Sequence, residues 1–187
     1  SMTFGGVAPI SPGAYAEIAD RVITVNGFGK SFAMTGWRIG YVHAPAELSR
    51  MISALNMQIN TNTAAFTQKA AIAALIGPQD HIQSYNRLLA ERKAIYDEIV
   101  QASPVLSGSS PEGGYFAFLD ISAAGLRSDD FAAALLRETG VALTPGVAFG
   151  DDYDGYCRIS LVNRTELVRE GLIRIDAFVR GRAGAGR

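Results

Sequence analysis

The chain has 187 residues, 48% of them hydrophobic and 19% charged, with a formal net charge of −1. That composition supplies a core and excludes proteins that gather nucleic acid through a basic field. The single cysteine, Cys157, excludes an internal disulfide framework, and no apolar run reaches spanning length, so the chain reads as a soluble cytoplasmic protein.

Residues 3–20 carry Gly5, Gly6, Pro9, Pro12 and Gly13 among small residues, which is loop composition. The β-branched run Val22, Ile23, Thr24 and Val25 predicts a buried strand over residues 21–26, ending at Asn26-Gly27 and delivering Lys30 into a glycine-flanked loop. Trp37 to His43 alternates as a second strand, closed by Ala44-Pro45. His43 has no second His, Cys or acid at ligand spacing, and no metal site is assigned.

Two chemical readings of Lys30 compete. Gly29-Lys30-Ser31 after a strand suggests a P-loop, but that motif's first glycine falls on Thr24, and Thr35, Gly36 and Gly40 break the helix it needs. The other is a lysine whose amine condenses with an aldehyde, with Arg38 eight positions on offering a fork to a phosphate. A solvated lysine beside an ion-paired arginine is the plain structural alternative.

Residues 46–60 place Leu48, Met51, Ile52, Leu55 and Ile59 at helical spacing, predicting a helix whose stripe is core. Asn60 to Thr63 is a polar break, with Thr63 as N-cap of a small-residue helix over residues 64–76 that Gly77-Pro78 stops. A long amphipathic helix follows over residues 79–102, with Ile82, Tyr85, Leu88, Leu89, Ile95, Ile99 and Val100 inward and Arg87, Glu91, Arg92 and Lys93 outward.

Residues 105–112 read as loop and 113–121 as an aromatic-rich strand. A helix opens at Ser128 or Asp129 and ends at Gly140, and a short strand over 141–144 leads into Pro145-Gly146. Asp151, Asp152 and Asp154 lack the ligand ladder of a calcium loop and read as surface. Residues 156–162 form a strand bearing Arg158, which is costly among apolar neighbours unless it meets an anion or a structural acid. The last helix opens near Thr165, and the tail GRAGAGR reads as frayed.

The segment VNGFGKSFAMTGWRIGYV resembles the lysine segment of the class I/II, fold-type I aminotransferases: Lys30, five residues, Gly36, Arg38, Gly40 and then Tyr41, with Asn26, Met34 and Trp37 as further matches. Many members carry hydroxyls one and three places before the lysine, where this chain has Gly29 and Gly27. PEGGYFAF, ALTPGVAFG and YCRISL resemble the small-domain strand, the Pro-Gly loop and the strand bearing the substrate-carboxylate arginine.

The resemblance implies an α/β fold comprising the end of the large pyridoxal phosphate (PLP) domain over residues 1–60, then connecting helices and the small C-terminal domain over 61–187. It implies PLP on Lys30, its phosphate held by Arg38, and an amino acid or 2-oxo acid carboxylate gripped by Arg158. It also implies a homodimer, in which Thr61 or Thr63 reaches a neighbouring subunit's phosphate.

In the family, the acid that pairs the pyridinium nitrogen, the tyrosine at the ring oxygen, the stacking aromatic and the phosphate cup precede the lysine. Asp20 and Tyr15 stand too close to the strand to fill those roles. The chain therefore reads as a C-terminal half, weak or inactive by itself. The alternatives are a non-catalytic, self-associating domain, or another fold-type I activity such as a decarboxylase or lyase in the parent protein.

Overall fold

The structure is a computed structural model describing residues 2–4 and 8–185; Gly5 and Gly6 of the opening loop and the last two residues of the tail lie outside the described residues. The described residues form two compact units, 8–84 and 85–185 with 2–4.

The first unit opens with short 3-10 turns at Pro12–Ala14 and Ala16–Arg21. Strand β1 (Thr24–Gly27) pairs antiparallel with β2 (Gly40–His43), from Thr24 opposite His43 to Gly27 opposite Gly40. Helix α1 (Ala46–Asn60) follows Pro45, and α2 (Ala65–Ile76) ends where Gly77 donates its N–H to the Ala73 carbonyl at 2.9 Å. Buried Phe28, Met34 and Ala71, with Phe32 and Ile39 against them, form its core.

Several expectations fail in this unit: Ala64, not Thr63, stands at the N-cap of α2, and Trp37 lies in a 3-10 turn ahead of β2. Strand β1 is not buried: Val25 is 75% exposed. The stripe of α1 is not core either, since no residue of that helix is buried and Leu55 and Ile59 are 62% and 75% exposed. The cause is area: a ribbon of two four-residue strands and one small cluster cannot cover a face of a 15-residue helix.

The second unit takes most of α3 (Asp80–Ala102), then β3 (Ser107–Gly108), β4 (Phe116–Asp120), α4 (Ser128–Thr139), β5 (Thr144–Pro145), β6 (Tyr156–Ser160) and α5 (Thr165–Ala185). The strands form one antiparallel sheet in the order β3-β4-β6-β5. Strand alternation sorts the side chains by face. Ala117, Leu119, Cys157 and Ile159 enter a core with Tyr96, Phe131, Leu135, Leu172 and Val179, each large apolar side chain contributing about 1.5–3 kcal/mol on burial. Phe116, Phe118, Tyr156 and Arg158 alternate with them along β4 and β6.

Three local expectations also change. Arg92, predicted outward, is buried and donates from Nη1 to the Leu161 carbonyl at 3.0 Å, because Leu89, Arg92, Ile95, Tyr96 and Val100 share the buried face; Tyr85 and Leu88, predicted inward, are exposed. Ser107–Gly108, read as loop, pairs with Leu119 and Asp120 of β4. Residues 181–185, read as frayed, continue α5, where the Arg182 guanidinium lies 3.6 Å from the Phe178 ring centroid and pairs with Glu138 at 2.7 Å.

Candidate active site

Lys30 sits in the turn that leaves β1, exposed between two buried anchors, Phe28 and Met34. Phe28 N–H donates to the Ile39 carbonyl at 3.2 Å and the Phe28 carbonyl accepts from Met34 N–H at 3.2 Å, while Ala33 N–H closes onto the Lys30 carbonyl at 3.1 Å. The Phe28 ring packs on Phe32 and Tyr41, with centroids 5.3 and 5.8 Å away. The lysine is thus carried by a loop that the buried side chains of Phe28 and Met34 anchor.

Arg38 belongs to the same loop. Its φ of 49° is left-handed backbone, which costs a side-chain-bearing residue about 1–3 kcal/mol, and Nη1 donates to the Thr35 carbonyl at 2.9 Å. No carboxylate pairs with it among the described residues, so most of its donors face solvent. It borders a cleft of ≈ 810 Å³ also lined by Asn26, Trp37, Tyr41, Asn60 and Thr63. Of the two candidate hydroxyls, Thr63 lines this cleft and Thr61 does not. Lys30 is not among its lining residues.

Arg158 lies in the second unit, on β6 between Phe118 of β4 and Thr144 of β5. Nη2 donates to Thr144 Oγ1 at 3.2 Å, and the guanidinium carbon is 4.1 Å from the Phe116 centroid and 5.2 Å from that of Phe149. Ring contacts of this kind contribute about 0.5–2 kcal/mol and leave the guanidinium edge available to a carboxylate. No acid pairs with Arg158 among the described residues.

Among the described residues no group of three or more His, Cys, Asp or Glu is placed to hold a metal ion, the acidic loop before β6 included. Asp154 instead accepts from the Ser128 N–H and hydroxyl, both at 2.9 Å, and pairs with Arg127 at 3.0 Å. The backbone N–H and hydroxyl of Ser128 hold its carboxyl below the usual carboxylate range against the opposing effect of burial, with a lesser contribution from the Arg127 charge. A second cleft, of ≈ 410 Å³, lies along residues 140–143, β6 and α5, with Arg174 and Glu170 paired at its rim; none of the three candidate residues lines it.

A family model for aminotransferases of class I and II matches residues 2–175. The chain belongs to the class I and II aminotransferase family. It is 37% identical over 184 residues to an aspartate/prephenate aminotransferase of Cereibacter sphaeroides, covering 93% of this chain and 44% of that protein. It is 36% identical to an arginine–pyruvate transaminase of Pseudomonas aeruginosa, over 89% of this chain and 42% of that one. The structure superposes on an aromatic aminotransferase from Pyrococcus horikoshii with a TM-score of 0.90 and 31% identity, over 97% of this chain and 49% of the other. The chain thus spans less than half the length of these relatives and carries the aminotransferase fold over that part.

The donor set fits the family's cofactor: an amine on an exposed turn for an aldehyde, and an arginine without an acid partner for a phosphate. Sequence reasoning missed Thr144, Phe116 and Phe149 around Arg158. Alternation along β4 and β6 held the signal for Phe116; the loop position of Phe149 held none.

Proposed function

We propose that this chain is part of a PLP-dependent aminotransferase that moves an amino group between an amino acid and a 2-oxo acid, with Lys30, Arg38 and Arg158 as its reacting and binding residues. The observation that carries the reading is the pair of unpaired arginines. Each has a guanidinium anchored by one protein acceptor and no carboxylate nearby among the described residues, the condition of a side chain kept for an anion from outside.

Arg38 holds the cofactor phosphate. Arg158 forks the substrate α-carboxylate through the guanidinium edge that Thr144 and the rings leave open. Bound PLP supplies the electron sink for the pair left on the α-carbon when its proton is removed. Lys30 Nζ accepts that proton as general base and returns it as general acid. Thr63 lines the cleft that Arg38 borders, which supports reading it as a further hydroxyl for phosphate recognition in a homodimer. A cytoplasmic biosynthetic enzyme is the setting this reading expects; no helix among the described residues is long and apolar enough to cross a membrane.

The test is to mix the chain with PLP, reduce with borohydride and map the modified lysine by mass spectrometry. The chain has two internal controls, exposed Lys69 and half-buried Lys93, the latter paired with Asp97 at 2.6 Å. Selective modification of Lys30 supports the reading. Equal modification of Lys30 and Lys69 sinks it for this chain.

A further inference from the structure

The Arg158 guanidinium has two kinds of neighbour. Phe116 and Thr144 come from strands paired in the sheet, whereas Phe149 comes from residues 146–154, where two short 3-10 turns, Gly146–Phe149 and Asp151–Tyr153, give little regular support. A ring on such a segment keeps a fixed distance from a charge only if the segment is tied down at both ends.

Besides the paired strands at its flanks and the Gly155 carbonyl, which accepts the Ile121 N–H at 2.9 Å, both ends meet at Ser128, the first residue of α4, which is fully buried. Its hydroxyl accepts the Val147 N–H at 3.1 Å, at the start of the loop, and donates to Asp154 Oδ1 at 2.9 Å, at its end. The same Oδ1 accepts the Ser128 N–H, and Arg127 holds the other oxygen. One buried hydroxyl therefore joins the two ends of the loop through good bonds in both directions. Gly146 fixes the entrance, because a Cβ there would collide with the carbonyls of Tyr153 and Tyr156. With its ends joined, the loop sets Phe149 against Phe118 at 5.4 Å and beside Arg158.

We infer that Ser128 and Asp154 are positioning residues, a clasp that closes loop 146–154 so that Phe149 fixes the guanidinium of Arg158 with its edge turned to an incoming carboxylate. The inference rests on the reading of Arg158 as a carboxylate binder, and it is tested on geometry separately from that reading.

The experiment is NMR of the arginine Nε–Hε signals in the whole chain, with the Arg158 signal assigned by its loss in Arg158→Lys. Phe149→Leu measures how much of its shift comes from that ring. Asp154→Ala is expected to move the signal to the Phe149→Leu position while the amide signals of Leu119 and Ile159 in the sheet stay in place. Asp154→Asn, which keeps an acceptor for Ser128, is expected to restore it. Ser128→Ala should act as Asp154→Ala does, and Asp154, only partly buried, gives the readout if the buried serine variant fails to fold. An Arg158 signal unchanged in folded Asp154→Ala overturns the clasp.

The second arm titrates the native chain with propionate against chloride at equal ionic strength. A saturable shift of the Arg158 signal, weakened about tenfold in Asp154→Ala, supports both readings. No shift with propionate in the native chain overturns the carboxylate reading alone, and the clasp then stands or falls on the variants.

Discussion

Arg92 shows how a single charge can be built into an apolar helix face. Its stem lies in the core and Nη1 serves the Leu161 carbonyl just beyond the end of β6, while Nε is buried without a partner among the described residues. Truncation to alanine removes the packed stem and leaves that carbonyl unserved, so Arg92→Ala is expected to cost about 2–4 kcal/mol. Arg92→Met, which refills the stem but not the bond, is expected to cost about 1–2 kcal/mol. Urea midpoints at constant slope read both, and equal, negligible losses would contradict the role. Two buried acids of the same unit set its alkaline limit. Burial pushes the Cys157 thiol and the Tyr96 hydroxyl up to about 12, the latter helped by the nearby Asp97 charge. The unfolded chain releases these protons nearer 9 and 10. Between about pH 9 and 12 the folded state therefore binds more protons, and stability is full below that window and falls through it, by up to about 1.4 kcal/mol per pH unit for each group. Cys157→Ala should flatten the lower part of that slope; a native chain with stability constant to pH 11 would contradict the assignment.

At the scale of elements, placement was legible and burial was not. Helices over 46–60, 64–76 and 79–102 were read within a residue or so of α1, α2 and α3, because Pro45, Gly77-Pro78 and the polar break at 60–63 are local signals. Gly140 was legible as a helix stop for the same reason, and it takes the left-handed backbone expected there, with φ 72°. Periodicity, however, names an apolar face without naming what covers it, so the stripe of α1 read as core although no residue of that helix is buried. The inverse error occurred at Arg92, where residue type outweighed a position that the period assigned inward. In the candidate site, Lys30, Arg38 and Arg158 are proposed from the motifs that carry the family resemblance. The clasp of Ser128 and Asp154 was invisible, because it joins residues 26 apart through side-chain bonds that leave no periodic trace.

The two units differ as wholes in how well they satisfy their own apolar surface. The second packs three helices on one sheet and buries most large side chains that alternate inward. The first leaves Leu55, Ile59, Phe66 and Ile76 open, the last two 71% and 82% exposed, around a core of only a few residues. Scattered exposed apolar residues are ordinary, whereas several on two consecutive helices favour association. The chain is therefore expected to gain mass with concentration, its weight-average mass by sedimentation rising above 19.9 kDa along a dilution series. Ile59→Lys combined with Phe66→Lys removes apolar area from α1 and α2 without touching a buried group, and should return the mass toward that of one chain. Because neither position belongs to the second unit, the thermal transition of its sheet and helices should be unmoved by the double change. A native chain that stays at 19.9 kDa throughout the series would mean that the open helix faces are tolerated by water alone, and self-association would then lose its main physical support.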